Sequence, residues 1–141
     1  MILYAETSAI LRWLLGGADG ALVMRTLMAA ELVFTSRLTL IEIDRVIVRQ
    51  QAEGALDDMQ TAEARRLLAA VLPQWRVVEL ISAICDRGGQ RFPQEPVRTL
   101  DALHLATALF VARLATDVHL LSTGQRVRDN AAALGLRCLP T

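Results

Sequence analysis

Ile2-Leu3-Tyr4-Ala5-Glu6-Thr7-Ser8 is a run of four apolar residues that ends on an acid and two hydroxyls. A run this short and this apolar reads as a buried strand. The polar residues behind it are the types that begin helices. Apolar positions at helical spacing then fill residues 8–15 and stop at Gly16-Gly17, a C-terminal helix signal. A buried strand with a helix directly behind it is the first half of a βα unit.

The same pattern repeats outward from this start. A second helix follows Asp19 and runs to about Ala30. Residues 32–35 are the second strand candidate, with Ser36 opening the next turn. Residues 38–52 carry Leu38, Ile41, Val46 and Val48 at helical spacing and stop at Gly54. Residues 57–72 form an amphipathic helix through Met59, Ala62, Leu67, Leu68 and Val71, closed by Pro73. Residues 76–80 read as a third strand and 82–87 as a short helix, and the proline-bearing stretch 92–96 is a loop. Thr99 then caps an apolar helix over residues 100–113. Residues 119–121 form a fourth strand, 122–124 a turn, 125–133 the last helix, and 137–139 are a candidate fifth strand. Short apolar strands alternating with helices predict an α/β fold: a mainly parallel sheet of four to five strands with helices on both faces. No linker or internal repeat divides residues 1–141, so one domain is expected.

Composition excludes several classes. Hydrophobic residues make up 53% of the 141, too many for a disordered chain. No apolar stretch approaches the roughly 18 uncharged residues of a membrane span. The first residues lack a basic segment and meet an acid at Glu6, so no signal peptide is expected and the protein is placed in the cytoplasm. Cys85 and Cys138 match no metal spacing and read as buried, reduced thiols. Fifteen arginines balance fifteen acids, with no lysine. Zero net charge argues against coating nucleic acid by bulk electrostatics, but leaves room for a local groove where arginines hold phosphates.

In a parallel sheet the ligand site lies beyond the carboxyl ends of the strands. Glu6 follows the first strand directly, and Ser122-Thr123-Gly124 follows the fourth. Two further acids interrupt apolar helix beginnings: Glu42 in Leu40-Ile41-Glu42-Ile43, and Asp101 in Leu100-Asp101-Ala102-Leu103. A lone buried carboxylate is costly. Each acid therefore either faces solvent or converges with the others around a cation. Oxygen donors without a His/Cys pattern favour Mg²⁺ or Mn²⁺ over Zn²⁺, and such ions serve phosphodiester hydrolysis.

At these residues the chain resembles the PIN-domain family. Residues 2–10 resemble the opening of PIN domains, where a strand runs into an Asp-Thr/Ser-Ser-Ala segment. Residues 38–43 resemble the second motif, and Arg98-Thr99-Leu100-Asp101-Ala102-Leu103-His104-Leu105-Ala106-Thr107-Ala108 reads almost unaltered as the third. Leu120-Leu121-Ser122-Thr123-Gly124 resembles the last strand and its turn. The resemblance spans the whole chain, at the length of VapC-type toxins. It implies a three-layer PIN-like fold and a ribonuclease toxin of a type II toxin–antitoxin module. It further implies Mg²⁺ or Mn²⁺ as cofactor, RNA as substrate, a cognate antitoxin and a homodimer.

Carried over by position, Glu6, Glu42 and Asp101 are the metal-site acids on which catalysis would depend. Glu6 stands where the family has aspartate, one methylene longer. Gly124 stands where the family commonly has a fourth acid, and offers no side chain. The site then works with three acids and extra water, or borrows an oxygen from Ser122, Thr123, Asp117 or Asp129, or has lost turnover and survives as an antitoxin-binding or scaffold module. Thr7, Ser8, Arg12, Ser122 and Thr123 are the residues expected on the RNA side, with helix capping the better reading of Thr7 and Ser8. Trp13 is expected to be packed, and helices 38–52 and 57–72 to form the antitoxin surface. His104 shares the Asp101 helix face and reads as a packing residue rather than a general base. A flavodoxin-like nucleotide binder would need a glycine-rich phosphate loop, and none is present.

Overall fold

Each apolar run becomes a strand in the computed structural model, which describes all 141 residues. The strands are β1 (Ile2–Ala5), β2 (Leu32–Ser36), β3 (Arg76–Val78), β4 (Val118–Leu121) and β5 (Arg137–Leu139). The helices are α1 (Thr7–Leu14), α2 (Gly20–Ala29), α3 (Arg37–Ala52), α4 (Asp58–Val71), α5 (Ser82–Gly88), α6 (Thr99–Leu114) and α7 (Gln125–Ala133). A single 3₁₀ turn, Leu72–Gln74, carries Pro73 and leads into β3.

The five strands lie in the order β3-β2-β1-β4-β5, and every pairing is parallel. Side chains alternate across the sheet, as the strand period requires. Leu3 and Ala5 of β1 join Ile10, Val23, Ile43, Ile47 and Ala64 in a core under α1 to α4. Tyr4, between them, points the other way and joins Leu105, Val111, Leu120 and Val127 under α6 and α7. The result is the expected three-layer α/β fold.

The strand order reverses at β1. From there the chain builds outward through β2 and β3, then returns to place β4 on the other side of β1. The carboxyl ends of β1 and β4 are thus a topological switch point, where helices leave to opposite faces and a crevice opens. Glu6 lies at the end of β1 and Ser122 at the end of β4, with Ala5 and Leu121 in register.

Some expectations fail for local reasons. β3 has three residues rather than five. Cys85 is exposed rather than buried, because the short α5 turns only Ile84 fully inward. On α3 the buried positions are Leu38, Thr39, Ile43 and Ile47, while Ile41 and Val48 face outward. On α4, Met59 is exposed and Thr61 and Ala64 are buried. Arg98 rather than Thr99 occupies the cap position of α6, and Thr99 is its first helical residue.

Candidate active site

Glu6 caps α1 with its own side chain. Its Oε1 accepts the Ser8 backbone N–H at 3.1 Å, so the acid satisfies a helix donor that would otherwise be orphaned. Its Oε2 accepts the Ser8 hydroxyl at 2.5 Å and the Ser122 hydroxyl at 2.8 Å. Capping therefore falls to Glu6, not to Thr7 or Ser8 as the sequence suggested. The carboxylate thus folds back onto its own helix and also reaches Ser122.

Glu42 sits one helical turn and a half into α3, half-buried. The Thr7 hydroxyl donates to its Oε1 at 2.8 Å, and His104 Nε2 approaches the same oxygen at 2.5 Å. Both donors fall on Oε1, and Oε2 is left without one. Burial pushes the Glu42 carboxyl up, but the hydrogen bond and charge of His104 and the Thr7 hydroxyl outweigh it, and the net shift is below the ordinary range.

Asp101, in the first turn of α6, is in the opposite situation. Burial raises its pKa, and the charge of Glu6 raises it further; His104 and Arg98 pull it back only in part. No hydrogen bond is among these influences. The site thus contains one carboxylate braced by three donors, one by two, and one with none.

The three acids come from the amino-terminal parts of α1, α3 and α6, and α7 starts at the same rim from Gly124. Helix starts carry partial positive charge and favour anions. No three acid, histidine or cysteine side chains converge closely enough to form a ready-made metal cluster. The charge of Glu6 and, more weakly, that of Glu42 oppose ionisation of Asp101, while Glu42 is held by Thr7 and His104. The donor set still suits a hard cation: all carboxylate oxygen, with the unbonded Asp101 and the open Oε2 of Glu42 available.

Gly124 is a real gap in the wall. A Cβ there would lie 3.6 Å from Ser122 Oγ and 3.8 Å from Ser8 Oγ, ordinary contacts, so a side chain would fit. The suggested substitutes behave differently from one another. Ser122 and Ser8 give their hydroxyls to Glu6, and Thr123 donates its backbone N–H to Ser8 Oγ at 2.9 Å. Asp117 precedes β4 and lies at the opposite rim of the sheet. Asp129 is half-buried and its carboxylate accepts from the Gln125 amide.

Two expected RNA contacts are also redirected. Thr7 is 5% exposed and Ser122 is fully buried, and their hydroxyls brace Glu42 and Glu6. Buried carboxylates need donors, and these are the nearest ones. Ser8, Arg12, Thr123 and Gly124 do line an open cleft of about 530 Å³ with Gln50 and Val46. Gln50 was not signalled by sequence: it faces this cleft only because α3 packs beside α1. His104, read as packing, is buried as expected but bonds to Tyr4, Thr7 and Glu42.

At the far rim, where the strands begin, Trp13, Met24, Met28, Val33, Val71 and Trp75 line an apolar pocket of about 150 Å³. No helix is long and apolar enough to cross a membrane.

An all-parallel sheet whose switch point is lined by carboxylates, each at or near a helix start, defines the class of α/β domain to which the sequence motifs pointed. The family model of the PIN domain matches residues 3–133, and the chain belongs to the PIN-domain family. Its fold is shared with VapC20 of Mycobacterium tuberculosis, described as a sarcin–ricin-loop-cleaving toxin (TM-score 0.66, 16% identity, 95% of each chain covered). It is likewise shared with VapBC2 of Rickettsia felis, solved bound to a DNA fragment from its promoter. That match has a TM-score of 0.65 at 13% identity, and covers 98% of this chain and 97% of that one. No curated protein matches the sequence.

Proposed function

We propose that the protein is a metal-dependent endoribonuclease toxin controlled by a cognate antitoxin. The observation that carries this reading is Asp101: a partly buried carboxyl with no hydrogen bond, raised by burial and by the charge of Glu6, at the switch point of a PIN fold. Two acids held in opposition are what a cation site looks like from the protein side.

Glu6, Glu42 and Asp101 would hold Mg²⁺ or Mn²⁺, with water completing the shell. Such an ion supplies an activated water and neutralises charge on the scissile phosphate. The chain's own residues do the rest. Ser8 and Ser122 orient Glu6, and Thr7 and His104 keep Glu42 ionised and oriented. Arg12 lies on the cleft wall beside Ser8, suited to a phosphate on the 530 Å³ side. Thr123 and Gln50 offer polar groups to the adjoining nucleotide.

The parts of the surface suited to a protein partner are apolar. Ile41, Val48 and Met59 stand out from α3 and α4, and Leu22, Met24 and Met28 from α2. We assign these faces to the antitoxin and to a second copy of the chain, in the cytoplasm where the RNA is.

The alternative rests on Gly124, where a side chain fits and none is present. On that reading the domain binds an antitoxin without turnover. The test is cleavage of RNA by the purified full chain with Mg²⁺ or Mn²⁺, beside Asp101→Asn and Gly124→Asp. The enzyme reading expects cleavage by wild type and a loss of at least about 100-fold in Asp101→Asn, since charge neutralisation by an ion is worth several kcal/mol. An inert wild type that gains activity in Gly124→Asp establishes the binding module instead.

A further inference from the structure

His104 is the largest polar investment in this fold that the site's acids do not account for. Its side chain is 1% exposed, yet both ring nitrogens have partners. Nδ1 lies 2.8 Å from the Tyr4 hydroxyl, and Nε2 lies 2.5 Å from Glu42 Oε1 and 3.1 Å from Thr7 Oγ1. The four residues come from β1, α6, α3 and α1, so the chain of contacts passes around the carboxyl edge of the sheet from one face to the other.

Hydrogen-bond accounting gives this chain a direction. An ionised carboxylate only accepts, so Nε2 carries a proton and donates to Glu42. On a neutral ring Nδ1 is then an acceptor, and Tyr4 donates to it. Thr7 donates to the same oxygen of Glu42, with its hydroxyl 3.1 Å from Nε2. Glu42 is thereby held at Oε1 by two donors, and its rotation is arrested with Oε2 unbonded. A packing histidine needs none of this arrangement.

We propose that His104 is a positioning residue: oriented by Tyr4, it aims the free oxygen of Glu42 at the cation site. The proposal rests on the assignment of Glu42 as a metal-site acid. Partners that orient a metal-binding carboxylate typically matter by about 10- to 100-fold in metal affinity.

The experiment uses the full chain and Mn²⁺ alone, with binding followed by electron paramagnetic resonance in the absence of RNA. His104→Leu fills the space without a donor. His104→Gln places an amide N–H near the position of Nε2, whereas His104→Asn is too short to reach. The expected results are a loss of about 10-fold or more in Mn²⁺ affinity for Leu and Asn, and substantial recovery for Gln. Glu42→Gln loses at least as much, and adding His104→Leu to it loses nothing further, because His104 acts through Glu42. In the wild-type protein, ¹⁵N spectra of the His104 ring show the proton on Nε2, a readout that requires no variant to fold.

A ring proton found on Nδ1 with Nε2 bare overturns the proposal. So does unaltered Mn²⁺ affinity in His104→Asn or His104→Leu while Glu42→Gln is impaired. If Glu42→Gln itself binds Mn²⁺ as wild type does, the metal-site assignment of Glu42 has failed, and this proposal falls with it.

Discussion

At Asp101 the competing effects can be ranked. Burial and the charge of Glu6 both disfavour the ionised form, and Arg98 and His104 compensate only in part. Its folded-state pKa is therefore above the ordinary 3.8. A carboxyl shifted upward favours the fold while protonated, and that contribution is lost as pH rises through the shifted value. Without added divalent ion, Asp101→Asn should melt at the same temperature as wild type below about pH 3.8, where both side chains are neutral, and progressively higher toward pH 7. Thermal melts across that range check this, and a constant difference would remove the electrostatic explanation. Added Mn²⁺ should reverse the order at neutral pH, because only the wild type gains from binding. Sequence exposed this residue through its motif, yet its strain depends on Glu6, 95 positions away along the chain.

At the scale of the element, α3 shows what helical periodicity misses. Leu38, Ile41, Val46 and Val48 mark the helix by their spacing, but the fold turns Thr39, Ile43 and Ile47 inward with Leu38 and leaves Ile41 and Val48 exposed. The rotation places Glu42 on the rim, between the buried and exposed sides. It also buries Thr39 completely, with its hydroxyl unpartnered. A buried hydroxyl without a partner costs about 1 kcal/mol or more. Thr39→Val, nearly the same shape without that group, is expected to raise stability by about 1 kcal/mol in urea unfolding. An equal loss would mean that the hydroxyl has a partner in solution. The short strands were easier to read, because a fully buried parallel strand has no exposed face to confuse the pattern. β3 was overestimated for the complementary reason: it is an edge strand and pairs on one side only.

For the whole molecule, zero net charge means that any grip on RNA is local. Several arginines are already paired, Arg37 with Glu79, Arg65 with Asp44 and Arg66 with Glu63. Arg12 is the cation lining the cleft beside Ser8 and Thr123. Arg12→Ala should weaken single-stranded RNA binding alike for all sequences and reduce the slope of log K against log salt by about 0.7, one phosphate contact. An unchanged slope would remove Arg12 from the RNA path. The amino-acid order was enough to specify the layers and the parallel sheet, because strand and helix periods are local, and it marked Glu6, Glu42 and Asp101 as acids that break apolar runs. The pairing of those acids with their donors was not available there. Glu6 finding Ser122, Glu42 finding Thr7 and His104, and Gln50 reaching the cleft all join residues far apart in sequence, and only the switch of strand order at β1 brings their helix ends to one rim.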